Sequence, residues 1–176
     1  MSTLFVTGDL HFNHQKMIKL AGRPVDDVYE MNNFLMKRWN ERVKPSDKVI
    51  INGDFCYKSK VLSLNYFLEN LNGEKIFIKG NHDEKNGLRC KVKSLVVEFA
   101  NMEIFITHNP QDCNKNFDLN ITAHVHEAWK WKPMDEDQNK ILINCGVDVW
   151  SFHPVKISEI VDLYNKIKKE SNNERN

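Results

Sequence analysis

The stretch LFVTGDLH, Leu4 to His11, sets a short apolar, partly β-branched run directly against Asp-x-His. Its first four residues predict a strand. The glycine that follows permits a sharp turn and a close backbone approach. The arrangement recurs. Residues 48–52 predict a second strand followed by Gly53-Asp54, and residues 75–79 a third followed by Gly80-Asn81-His82-Asp83. Each run ends on a side chain that can ligate a metal.

Helical patterns fill the gaps between these runs. From Asp26 onward, Val28, Met31, Leu35 and Trp39 recur at helical spacing, with Asp26 or Asp27 available as a cap. After Ser59, Val61, Leu64, Leu68 and Leu71 share one face, and that helix is expected to stop near Gly73. Near the end of the chain Ser158 is placed to cap a helix carrying Ile160, Val161, Tyr164 and Ile167. These stripes read as core packing. The first half is therefore β-α-β-α-β, the signature of parallel strands joined by crossover helices.

The second half reads as mostly β. Residues 94–99, 103–107 and 141–144 predict strands, and Asn101 sits in a tight hairpin connection between the first two. His108 follows the run 103–107, and the segment TAHVHEA (residues 122–128) adds His124 and His126. If that segment is extended, side chains two apart point the same way. Ligand sites in open α/β sheets lie beyond the strand carboxyl ends. That is where these residues fall. Alone, a Gly-Asp is most often a turn, Asn-His-Asp can cap a helix and one histidine can be structural. Their succession at strand ends in one small chain favours a metal site.

Gross composition narrows the class. The chain has 176 residues, enough for one well-buried domain, with 41% apolar and 28% charged residues. A single domain over residues 1–170 is expected, with a polar tail over 171–176, and the biased end KIKKESNNERN is expected to fray. Formal net charge is +1, so no global field favours long nucleic acid or an anionic membrane. No apolar run approaches the roughly 20 residues needed to span a bilayer, and residues 1–10 lack the pattern of a secretory signal. Cys56, Cys90, Cys113 and Cys145 form no C-x-x-C pair, which argues against a disulfide framework and a thiolate zinc site. A cytoplasmic protein with reduced thiols is the expectation.

The ordered set DLH, GD, GNHD, TH and AHVH closely resembles the calcineurin-like metallophosphoesterase superfamily, whose pattern is D-x-H, G-D, G-N-H-[D/E], a histidine and G-H-x-H. The resemblance covers Asp9 to His126. Within the superfamily, DLHFNH, Gly22-Arg23-Pro24, GDF and NCGVDVWSFHP look like the small bacterial and phage-type phosphoesterases. It implies an α/β fold: a four-layer αββα sandwich, two mixed β-sheets flanked by helices.

The resemblance also implies a dinuclear site. Asp9, His11 and His126 would hold one divalent metal, Asn81, His108 and His124 the other, with Asp54 bridging. The two rings of H-V-H would then serve adjacent metals. Four positive charges less two carboxylates and a bridging hydroxide leave the centre net positive, which draws a phosphate ester. The hydroxide would attack and His82 would act as general acid, with Asp83 orienting it or capping a turn. Nitrogen and oxygen ligands without thiolate suit Mn²⁺, Fe, Zn²⁺ or Ni²⁺ over Ca²⁺; Mn²⁺ is the expectation for activity in vitro.

Departures from the pattern refine this. Ala123 replaces the usual glycine before H-x-H, which is tolerable unless that position needs positive φ. Phe55-Cys56-Tyr57-Lys58 follows Gly53-Asp54 in place of the phosphatase G-D-x-x-D-R-G, so a phosphoprotein substrate is disfavoured. His14 and Arg23 are candidate substrate contacts, weighed against packing and a solvated turn. Asn144, Asp148 and His153 read first as caps or structural hydrogen bonds, and Cys145 as a buried small residue. Trp129 and Trp131, alternating with Lys130 and Lys132, fit a half-buried strand or an aromatic platform for a base. The leading expectation is a phosphodiesterase acting on small diesters such as cyclic nucleotides. The alternatives are a nuclease on short or single-stranded nucleic acid, marked by a local basic groove and strong salt dependence, and a non-catalytic metal-binding scaffold.

Overall fold

The computed structural model describes residues 2–58, 61–134 and 139–173. Three parallel strands form the first sheet, β1 (Leu4–Thr7), β2 (Lys48–Asn52) and β3 (Glu74–Ile78), with the short β9 (Val155–Lys156) antiparallel on β1. Their order is β3-β2-β1-β9. Successive side chains alternate between faces. Phe5, Val49, Ile51 and Phe77 therefore pack with the helices α1 (Lys16–Leu20), α2 (Val28–Asn40) and α3 (Leu64–Asn70). Val6, Ile50, Ile76 and Ile78 pack in the opposite cluster, toward the second sheet.

That second sheet has the order β4-β5-β6-β8-β7. β4 (Ser94–Phe99) and β5 (Met102–Thr107) are antiparallel, β6 (Leu119–Thr122) and β8 (Ile141–Asn144) run parallel to β5, and β7 (Trp131–Pro133) closes the edge antiparallel to β8. Ile104, Ile106, Leu119, Ile121, Ile141 and Ile143 are fully buried and join Val6 and Ile50 in one cluster. The final helix, α4 (Ile157–Asn173), adds Ile157, Ile160, Val161, Tyr164 and Ile167 to it. The architecture is the expected αββα sandwich, with two mixed sheets flanked by helices.

Several local expectations meet the structure closely. Asp27 caps α2, its carboxylate accepting from the Glu30 amide. Phe99 pairs with Met102 across a two-residue turn in which Ala100 and Asn101 both have positive φ, 51° and 60°, as a right-twisted hairpin requires. Others are corrected. α3 starts at Leu64, capped by the Ser63 hydroxyl, and Val61 lies outside it; Ser59 falls outside the described residues. α4 begins at Ile157, so Ser158 is inside its first turn. α4 runs to Asn173, into the expected polar tail, and Ser171 is buried with its hydroxyl donating to the Ile167 carbonyl; residues 174–176 fall outside the description. Residues 131–133 do form a strand, but all three side chains are exposed. Lys130 lies over the Trp150 ring and Lys132 over that of Trp129. Among the described residues, no helix is long and apolar enough to cross a membrane.

Candidate metal centre

The loops after β1 and β2 are zipped together by backbone hydrogen bonds. The amide of Asp9 donates to Gly53 O, that of His11 to Asp54 O, and that of Phe12 to Phe55 O. This register sets Asp9, His11 and Asp54 side by side, at φ values of 55°, 47° and 54°. Residues other than glycine occupy that left-handed region at a cost, and clusters of them mark functional loops. Gly53, at φ 82°, cannot be replaced without collision: an added Cβ would lie 2.3 Å from His108 Nδ1. At Gly80 the same atom would lie 2.2 Å from Asp54 Oδ1.

The 122–128 segment is not extended. His124 and His126 take φ values of 73° and 48°, and this turn sends their rings to different places. His126 lies with Asp9 and His11, their candidate ligand atoms all within 4.8 Å of one another. His124 lies with Asp54 and His108 in a second such group. Asn81 Oδ1 is 3.0 Å from His108 Nε2 and 3.0 Å from His124 Nδ1, which adds it to the second group. Asp54 Oδ2 is 3.5 Å from both His11 Nε2 and His108 Nε2, so one oxygen faces both groups. Ala123 is buried and is not among the positive-φ residues, so alanine is unstrained there.

The hydrogen bonds behind these rings decide which nitrogen faces inward. His108 Nδ1 lies 2.8 Å from the Asn52 carbonyl, an acceptor only, so Nδ1 carries a proton and, in the neutral ring, Nε2 presents its lone pair. His126 Nδ1 donates to Asp148 Oδ2 at 2.9 Å, leaving Nε2 to face Asp9 and His11. Asp148 is held in turn by Arg23, whose Nε donates to Oδ1 at 3.0 Å. A carboxylate behind a ligating imidazole fixes its orientation and raises its basicity.

Arg23 is thereby corrected as a substrate contact. Its side chain is 0% exposed and its remaining donors go to the Leu10 and Asp9 carbonyls. It braces the loop that carries Asp9 and has no face open to a ligand. His14, by contrast, is half-buried at the rim, stacked on Tyr57 at 4.4 Å between centroids and 5.5 Å from the His11 ring. His82 is exposed, with its ring 5.7 Å from that of His11. Asp83 does not touch the His82 ring. Its buried carboxylate accepts from the amides of Gly80, Asp54 and Phe55, tying the β2 and β3 loops. Asn144 is structural, donating to the His126 and Trp129 carbonyls. His153 contacts Arg38 and the Trp150 carbonyl. Cys145 is fully buried and its thiol is pushed far up by that burial.

The electrostatics show whether a cation fits. Burial raises the Asp9 carboxyl to about 6 and lowers the His11 imidazole to about 3. Burial also raises Asp54, but contact with His108 and the charges of His108 and His11 outweigh it and bring the group down to about 2. Burial lowers His108, yet Asp54 and Asp9 outweigh it and raise the ring to about 9. Asp9 Oδ1 and His11 Nε2 are buried without a hydrogen-bond partner. Around Asn81 Oδ1 and Asp54 Oδ2, the lone pair of neutral His108 would meet other lone pairs; only a proton or a cation reconciles them. The donors are nitrogen and oxygen with no thiolate, and they converge in two groups sharing one carboxylate. They fit two divalent ions.

Residues 2–152 match the family described as calcineurin-like phosphoesterase. The chain belongs to that family. It is 36% identical over 174 residues to an uncharacterized protein of Methanocaldococcus jannaschii, covering 96% of this chain and 94% of that one. The gene 66 protein of Mycobacterium phage L5 is 25% identical over 208 residues, covering 97% and 98%. Among solved structures, a protein of unknown function from Aquifex aeolicus superposes with a TM-score of 0.70 at 23% identity, covering 93% of this chain and all of that one; it shares the fold.

Proposed function

We propose that this chain is a dinuclear metal-dependent phosphodiesterase. Asp9, His11 and His126 would hold one divalent ion, Asn81, His108 and His124 the other, with Asp54 shared between them. The observation that carries this reading is Asp54 Oδ2, equidistant at 3.5 Å from a histidine of each group. Two ions so held would supply a net positive seat for phosphoryl oxygens and would activate water at neutral pH. Mn²⁺ is the ion we assign for activity in vitro, from the mixed nitrogen and oxygen donors.

The chain's own residues do the rest. The carbonyl of Asn52 and the carboxylate of Asp148 hold the rings of His108 and His126 in the tautomer that faces the metals. Asp83 fixes the spacing of Asp54 against the Gly80 turn. His82, exposed at the rim beside His11, donates its proton to the departing oxygen. His14 faces the same rim and contacts the substrate. Four unpaired cysteines suit a reducing compartment such as the cytoplasm.

Hydrolysis of bis(p-nitrophenyl) phosphate, with p-nitrophenyl phosphate run beside it, tests this reading in Mn²⁺ and after chelation. Metal-dependent cleavage of the diester with little monoester turnover is expected. Failure on both with two metals bound would point to a demanding substrate or a scaffold.

A further inference from the structure

Beside the second metal group the surface is basic. A cleft of about 230 Å³ opens at Asn81 and His108, with Lys79 and Lys93 on its wall and one carboxylate, Asp112, among its lining. The same two lysines line an adjoining groove of about 550 Å³ that continues to Arg89 and Lys91. The segment 79–93 holds five Lys or Arg against two acidic residues, in a chain whose formal net charge is only +1. The basic character is therefore local. Of the acidic pair, Asp83 is buried on backbone amides and Glu84 is paired with Lys79. Arg89, Lys91 and Lys93 are exposed, and no hydrogen bond or ion pair among the described residues occupies their side chains.

Three unoccupied cations along one groove repel each other, and that arrangement is relieved by a chain of anions. A single phosphate needs only the metal seat. Beside the first group, on His11, lies an aromatic surface instead: His14 stacked on Tyr57, a residue 40% exposed. A basic groove together with an exposed aromatic is the recognition chemistry of a single nucleic-acid strand.

We propose that the substrate is a short single-stranded oligonucleotide, its scissile diester at the metal centre and its neighbouring phosphates along Lys93, Arg89 and Lys91. The inference rests on the phosphodiesterase reading and narrows its substrate from small diesters to a multiply charged strand.

The test is fluorescence anisotropy of the metal-loaded protein with a labelled six-nucleotide strand whose phosphorothioate linkages resist cleavage. Arg89→Ala/Lys91→Ala is expected to weaken binding at least tenfold. Losing two phosphate contacts should also flatten the slope of log affinity against log salt by about 1.4, at roughly 0.7 per contact for single strands. The charge-matched Lys37→Ala/Lys166→Ala, exposed on α2 and α4, should change affinity less than twofold. Equal losses in the two double variants, or none in the first, would overturn the groove assignment. Displacement of the strand by inorganic tripolyphosphate at equal phosphate concentration would overturn the nucleic-acid assignment. Metal-dependent cleavage of the same strand with ordinary phosphodiester linkages, measured in the same preparation, tests the hydrolase reading separately: binding without cleavage would overturn that reading and leave the groove assignment standing.

Discussion

Asp148 Oδ2 accepts the Nδ1 proton of His126 at 2.9 Å, and both belong to an otherwise buried chain that runs back to Arg23. The contact leaves the other imidazole nitrogen for a metal and prevents the ring from turning. Asp148→Asn should therefore lower affinity at the first metal group by about ten- to a hundredfold, the usual range for such partners. Isothermal titration with Mn²⁺ reads it. Unchanged affinity would show that packing alone sets the His126 ring.

Arg23 closes that chain from inside the protein, with side-chain exposure of 0% against 1% for Asp148. Removing one partner of a buried pair leaves an uncompensated charge, so Arg23→Ala should cost about 3–5 kcal/mol of stability. Urea unfolding measures it. A stable variant with only a raised KM would restore Arg23 as a substrate contact.

The acid role of His82 makes a graded prediction. His82→Ala should lower kcat by about 10²–10⁴-fold with a poor leaving group and much less with p-nitrophenolate. Metal content should not change, because the ring stands outside both ligand groups. Equal losses with both leaving groups would point to positioning in place of proton transfer.

Metal and proton compete at His108, which gives a pH signature. In the metal-free protein its folded pKa is raised, to about 9 from an ordinary 6.5. The stability this contributes is fully present below pH 6.5 and is lost as pH rises through 9. A bound ion requires the neutral ring, so binding strengthens over the same interval. The gain in Tm on adding Mn²⁺, relative to chelated protein, should therefore grow from pH 6.5 to 9. A gain that is flat or shrinks across that interval would contradict the ligand role of His108.

The parallel half of the fold was legible because its strands are apolar runs bounded by glycine, and its helices carry apolar stripes at period 3.6. The strand Leu119–Thr122 carries no clear apolar run in the sequence because Asn120 interrupts it. That side chain is buried and satisfied by Asn114 and Phe117, partners supplied by the preceding loop. Val155–Lys156 is too short to carry a pattern. The residues that converge in the two candidate metal groups stand out because motif order survives in sequence. The shape of the 122–128 segment could not, since its left-handed residues are histidines, not the glycines that announce such turns. Nor could the Arg23–Asp148 pair, whose members stand 125 positions apart. No local spacing signals such a contact, and the same two residues read locally as a solvated turn and a cap.

The central claim is that one carboxylate, Asp54, serves two metals. Metal content of the Mn²⁺-loaded protein, measured by inductively coupled plasma mass spectrometry after desalting, tests it most directly. Two ions per chain are expected in the native sequence, one after His126→Ala and fewer than one after Asp54→Asn. A single ion in the native protein, or two retained after Asp54→Asn, would contradict it.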